Sequence, residues 1–184
     1  LKDPSTLPPD LRTPVCLIVG RHADAATWEQ LRSLARATDS TEERDRYYDA
    51  FQHAADPSLA RRTLELALTE ERPTAQWFPI VPAVAEEHPD LAWEFARTNA
   101  AALLAKVPDG GAFATRNTYF SFVAAPSLDA TRAAELESLV ARMVGDQAAA
   151  ETAKTAEQIR LNAAFAGREL PKVDAWIARK RSVQ

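Results

Sequence analysis

Pro57-Ser58-Leu59-Ala60 reads as the start of a helix, and the chain repeats it at Pro89-Asp90-Leu91-Ala92 and at Pro126-Ser127-Leu128-Asp129. Proline suits the first helical position, because its fixed φ is already helical and the N–H it lacks would find no partner there. The first two starts lie 32 residues apart and the third follows 37 later. Stacked helix pairs take roughly 30–45 residues each. The spacing therefore predicts an all-α chain, an α-α superhelix of stacked antiparallel helix pairs with about ten helices.

Working outward from these starts, Asp24, Asp56 and His88 are each 32 residues apart and fall at the same boundary of successive units. Asp is a good cap, since its carboxylate accepts an otherwise unpaired N–H; His88 is a weaker one. A first helix is predicted from about Pro9 to His22, with Val15-Cys16-Leu17-Ile18-Val19 as a buried turn. The next carries Trp28, Leu31, Leu34 and Ala35 on one face. Ser40 with Glu43 forms a capping box ahead of Tyr47, Tyr48 and Phe51. Trp77, Phe78, Ile80 and Val81 surround Pro79 and Pro82, which predicts a short or kinked helix there. Pro89 opens a long helix to about Val107, stopped by Pro108-Asp109-Gly110-Gly111. Phe113 to Ala125 forms a further segment. Ser127 then caps a helix whose face is Leu136, Leu139, Val140 and Met143. Gly145 ends it, the Ala-rich stretch from Gln147 follows, Gly167 closes that one, and Pro171 opens a last helix with Val173, Trp176 and Ile177.

Composition narrows the function classes. At 184 residues, one domain spanning 1–184 is the expectation. Apolar residues are 46% and charged residues 26%, which is ordinary for a soluble fold. No run reaches the roughly 20 apolar residues of a membrane helix, so no membrane partner is expected. A net charge of −4 argues against nucleic acid, which calls for a basic face. Arg179-Lys180-Arg181 is the one basic cluster and reads as a cationic last helical turn. The lone Cys16 reads as a buried small hydrophobe, and with no apolar leader at Leu1-Lys2-Asp3-Pro4 a cytoplasmic, reducing setting is expected. The start also lacks an initiator Met, which suggests the C-terminal fragment of a longer chain.

The search for chemistry gives little. His22, His53 and His88 are scattered at helix ends, with no H-E-x-x-H and no E-x-x-H. His22 with Asp24, and His53 with Asp56, each supply half a metal site at most. No G-x-S-x-G is present, and Gly110-Gly111 is not followed by the Lys of a phosphate loop. Glu42-Glu43, Glu70-Glu71 and Glu86-Glu87 read as solvated faces. No catalytic residue and no metal ligand is assigned. One segment stands apart: Arg116, Asn117 and Tyr119 lie in an otherwise apolar, aromatic stretch. An Arg fork matches a carboxylate with two hydrogen bonds, so these three are candidate substrate contacts for the carboxyl end of a peptide. The alternative is that Arg116 pairs with an acidic residue of a neighbouring helix.

Asp10-Leu11-Arg12-Thr13-Pro14-Val15, Arg21-His22-Ala23-Asp24, Thr27-Trp28, Ser40-Thr41-Glu42-Glu43-Arg44, Tyr47-Tyr48 and Asp56-Pro57-Ser58-Leu59-Ala60 form an ordered series. It continues through Ala92-Trp93-Glu94-Phe95, Asn99, Asn162, Leu170-Pro171 and Trp176. The series resembles the C-terminal domain of zinc aminopeptidases of the endoplasmic-reticulum-aminopeptidase, puromycin-sensitive and bacterial aminopeptidase N type. The resemblance spans essentially the whole chain, and no single motif in it is decisive. It implies a HEAT/armadillo-like solenoid that closes a substrate chamber over a separate catalytic domain. The zinc, its ligands, the glutamate base and the G-A-M-E-N loop of that family would all lie upstream, so zinc is expected only in the missing catalytic domain and no cofactor in this chain.

The function expected on this basis is that of a non-catalytic C-terminal domain of an aminopeptidase, a hydrolase of the metalloprotease class. Its partners would be the catalytic domain of the same polypeptide and the peptide substrate it helps to select. The alternative is an autonomous helical-repeat adaptor that binds a protein or peptide on its own.

Overall fold

The computed structural model describes residues 7–71, 79–107 and 115–181. Among them are ten α-helices and no strand, so the all-α expectation holds. The expectations for Trp77, Phe78, Gly110, Gly111 and Phe113 lie outside the described residues. Contacts divide the chain into two compact units, Leu1–Lys106 and Val107–Gln184.

The first unit holds α1 (Pro9–Arg21), α2 (Ala25–Ala37), α3 (Thr41–Gln52), α4 (Pro57–Leu66), α5 (Ile80–Glu87), α6 (Pro89–Thr98) and α7 (Ala100–Lys106). The 32-residue period appears as a shared position. Asp24, Asp56 and His88 are the N-caps of α2, α4 and α6. The Asp24 carboxylate accepts the Thr27 N–H at 2.8 Å, and Asp56 accepts the Ser58 hydroxyl at 2.6 Å and its N–H at 2.7 Å; these bonds hold both carboxyls below the usual carboxylate range. His88 makes no such cap; its Nε2 lies 2.8 Å from the Ala54 carbonyl instead. Each helix packs on the next, and α1 on α3, α3 on α5 and α4 on α6 as well. Contacts to the next helix and to the next but one are what stacked helix pairs produce.

The core of this unit is aromatic. Trp28 from α2 and Phe51 from α3 are buried with ring centroids 5.1 Å apart, and Tyr48 meets Phe51 edge-on at 5.4 Å. Burying each such side chain is worth about 1.5–3 kcal/mol. The Trp28 indole N–H donates to Thr63 Oγ1 of α4 at 3.0 Å, and the Thr63 hydroxyl reaches back to the Leu59 carbonyl at 3.0 Å. Above that ring lies the Arg62 guanidinium, 4.3 Å from the centroid and paired with Glu29. The predicted face of α2 is narrower than expected, because Leu34 is exposed.

Several expectations need correction. The capping box at Ser40 is half formed: Ser40 accepts the Glu43 N–H at 3.3 Å, but the Glu43 carboxylate turns to the Thr38 hydroxyl at 2.8 Å. The long helix predicted from Pro89 is two helices. The Asn99 side chain donates to the Phe95 carbonyl at 2.9 Å, where its own backbone N–H also bonds, and this closes α6 before α7 begins. Glu71 is not a solvated residue, since Arg32 holds it in a part-buried pair; Glu87 pairs with Arg21 at the surface.

The second unit contains α8 (Tyr119–Ala124), α9 (Thr131–Met143), a 3-10 turn (Asp146–Ala148) and α10 (Ala149–Arg181), with α10 packed on α8 and α9. Pro126-Ser127-Leu128-Asp129 is not a helix start. Ser127 Oγ accepts the Asp129 N–H at 3.2 Å, and Asp129 accepts the Thr131 N–H at 2.9 Å and its hydroxyl at 2.8 Å. Two successive side-chain-to-backbone turns thus delay the helix to Thr131. Gly145, at φ 90°, reverses the chain after α9.

The predicted break at Gly167 and Pro171 is also absent, for α10 runs 33 residues through both. A proline ring crowds the carbonyl four residues earlier, and here that carbonyl belongs to Gly167, which has nothing within 4 Å of where a side chain would begin. Leu170, Val173 and Ile177 continue, at 3-4 spacing, the face that buries Ile159 and Ala166, yet they are exposed, as are Phe165 and Trp176. Arg179, Lys180 and Arg181 form the last turn, as expected.

Candidate functional site

The segment singled out in the sequence is a turn leading into α8. The Thr115 N–H donates to Thr118 Oγ1 at 3.0 Å, and the N–H groups of Thr118 and Tyr119 both reach the Thr115 carbonyl at 3.0 Å. This brace holds Arg116 and Asn117 at its apex. Arg116 is exposed and Asn117 half-buried, whereas Tyr119 is 1% exposed. The Tyr119 ring meets Phe120 edge-on at 5.5 Å, and burial drives its phenol well above the usual range. The three candidates therefore do not share one surface. Arg116 lies at the surface, and Tyr119 lies in the core at the start of α8.

Two clefts lie in the first unit. One, of about 260 Å³, runs between α4 and α6 and is lined by Arg61, Leu64, Glu65, Leu91, Phe95 and Asn99, among others. The other, of about 360 Å³, is lined by Ala35 and Arg36 from α2, Arg44 and Tyr48 from α3, and Glu71. Behind it, Arg32 grips Glu71 with two nitrogens, at 3.0 and 2.5 Å, while the Tyr48 hydroxyl donates to the same carboxylate at 3.1 Å. The Arg32 hydrogen bonds hold the Glu71 carboxyl below the usual range against the opposing effect of burial.

Among the described residues no group of three or more His, Cys, Asp or Glu is arranged to hold a metal ion. Cys16 is 3% exposed, and burial raises its thiol, which disfavours the nucleophilic thiolate. No described helix is long and apolar enough to cross a membrane. The Arg36–Arg44–Glu71 cleft was not visible in the sequence. Its residues come from two helices and the stretch that follows α4, and Glu71 reads locally as one of a solvated pair. The only sequence signal for it was Arg36 and Arg44, two cations on either side of the short link between α2 and α3.

Helix pairs stacked on a 32-residue period define a helical-repeat domain. Residues 1–161 match the model of the ERAP1-like C-terminal domain, and the chain belongs to that family. The resemblance in the ordered motifs and the stacked helix pairs agree with this membership.

Proposed function

We propose that this chain is the non-catalytic C-terminal domain of a zinc aminopeptidase, where it closes the substrate chamber over the catalytic domain and influences which peptides are admitted. Membership of the ERAP1-like C-terminal family over residues 1–161 is the observation that carries this reading. In it the catalytic zinc and its ligands belong to another domain of the same polypeptide, and the working compartment is the cytoplasm. The exposed apolar residues of α10, Phe165, Leu170, Val173 and Trp176, support it, since an apolar patch left on a surface marks an interaction site. The reading is tested by measuring zinc content and hydrolysis of aminoacyl reporter substrates with this chain alone. Neither is expected, and stoichiometric zinc or turnover would overturn it.

Within this reading Arg116 is the contact for the peptide's carboxyl end, carried on the turn that the Thr115–Thr118 brace holds, with Asn117 beside it in the chain and buried Tyr119 anchoring the start of α8. Arg116→Ala in the full-length enzyme is expected to raise KM for long peptides about tenfold, the scale of one charge-assisted hydrogen bond, and to leave short reporters unaffected. Equal effects on both would remove Arg116 from the substrate path.

A further inference from the structure

The cleft between α2 and α3 carries more positive charge than its own carboxylate can neutralise. Three guanidiniums, Arg32, Arg36 and Arg44, surround one carboxylate, Glu71. Arg32 already holds Glu71 with a two-pronged grip, and the Tyr48 hydroxyl occupies the same group. Glu43, next to Arg44 in sequence, is turned to the Thr38 hydroxyl. Arg44 uses one terminal nitrogen on the Thr38 carbonyl at 2.6 Å. Arg36 makes no hydrogen bond with any described residue, and its charge bears on the same Glu71 carboxylate, which it helps to keep ionised. Two guanidiniums thus open into one cleft of about 360 Å³, floored by buried Ala35 and Tyr48, with one carboxylate, Glu71, already held by Arg32, to balance both. That is unusual in a chain of net charge −4, where acidic partners are plentiful. The volume falls in the range of small-ligand pockets. Guanidinium forks match the planar or tetrahedral oxygens of carboxylate and phosphate.

We propose that this cleft is a binding site for a small oxyanion, of carboxylate or phosphoryl type, gripped between Arg36 and Arg44. Glu71 orders the site without occupying it: pinned by Arg32 and Tyr48, it fixes the wall, while the surrounding guanidiniums disfavour cations. The occupant's oxygens would meet Arg36 and the remaining nitrogens of Arg44 at once, so a dianion is favoured over a monoanion. The site is distinct from the Arg116 turn, and its existence does not depend on the aminopeptidase reading.

The test is titration of this chain with sodium phosphate and with sodium succinate, each against sodium chloride at matched ionic strength, read by calorimetry and by thermal unfolding. A ligand that binds only the folded state raises Tm with its concentration, so at least one probe is expected to give a saturable rise beyond chloride. Arg36→Gln should weaken that response by about tenfold or more, the scale of a charge-assisted hydrogen bond, and Arg44→Gln should do likewise. Arg142→Gln, on the exposed side of α9, should leave it unchanged. Response to phosphate alone assigns a phosphoryl group and response to succinate alone a carboxylate; either supports the site. No response above chloride to either probe, or an undiminished response in Arg36→Gln, overturns it. Arg44 braces the Thr38 carbonyl and its replacement risks the fold, so Arg36, which makes no bond to lose, carries the decision.

Discussion

Gly20 lies where α1 crosses α3, and a single methyl there tests the packing of the first unit. A Cβ added at Gly20 would sit 1.9 Å from the Ala50 carbonyl oxygen, 2.3 Å from its carbon and 2.9 Å from Ala50 Cα. All three atoms are helical backbone, so no side chain can swing aside. The helices must part until that 1.9 Å reaches the 3.4 Å at which ordinary contact begins. Such a gap strips much of the dispersion attraction from the buried faces of both helices, since even a 0.5–1 Å separation forfeits roughly a quarter to a half of each contact. It also strains the bond from the Ala55 N–H to the Arg21 carbonyl, 2.9 Å long, which ties the end of α1 to the end of α3.

Overpacking of this kind costs about 1–3 kcal/mol or more, and a clash with backbone belongs at the upper end. Alanine's better helix propensity returns up to about 1 kcal/mol. A net loss of about 2 kcal/mol is expected for Gly20→Ala, a fall in Tm of about 10 °C for a unit of this size. Thermal unfolding followed by circular dichroism, with urea titration alongside, measures it. Gly167→Ala is the internal control. That glycine lies inside α10 with nothing within 4 Å of its Cβ site, so the same substitution should stabilise by up to about 1 kcal/mol. Gly20→Ala melting at or above the parent protein would refute the close α1–α3 crossing and the packing built on it.

Other expectations follow from single contacts. Thr63→Val leaves the buried Trp28 indole N–H without its acceptor and should cost about 1–3 kcal/mol in urea unfolding, whereas Thr63→Ser should recover most of it. Glu71 has its folded-state pKa lowered from the ordinary 4.5, chiefly by the Arg32 hydrogen bonds. Its contribution is therefore present above the unfolded pKa and lost as pH falls from about 5 through the lower folded value. Glu71→Gln should be less stable than the parent near neutrality, and the gap should close on acidification; a gap that is constant with pH would exclude the ion pair as its source. Pro171→Ala restores a backbone donor inside α10 and should slow limited proteolysis after residue 167. Faster cleavage would show that the helix does not run through that point.

The first unit was legible because its signals are local. Asp24 and Asp56 announce N-caps whose bonds close within three residues, so a reader of sequence and the folding chain use the same information. The 32-residue period follows from those caps. Where the reading failed, a second local interaction competed with the first. At Ser127 the hydroxyl caps a turn, not a helix, and Asp129 repeats the device, so the proline marks the start of a loop. At Asn99 an ordinary polar residue ends a helix by reaching back to Phe95, with no glycine or proline to signal it. In α10 the two residues that spell a break stand four apart, so the glycine supplies the carbonyl that the proline crowds. Neither cleft is assembled by local sequence, since each joins residues from separate elements and Glu71 becomes a part-buried, paired carboxylate only once Arg32, 39 residues away, is folded against it.

The same contrast separates scaffold from function here. The interior of the first unit is held by buried apolar and aromatic contacts and by caps that recur with the period, so each helix pair is specified by its neighbours. Arg36 and Arg116 obey no such period: both are exposed, and neither lies in a core face. A repeat of this kind draws its core stability from other residues, and both arginines sit on its surface. Replacing either should change binding at its own site while leaving the melting temperature within the spread of ordinary surface substitutions, about 0.5 kcal/mol. A large loss of stability from Arg36→Gln would mean that the arginine belongs to the scaffold, through its charge on Glu71.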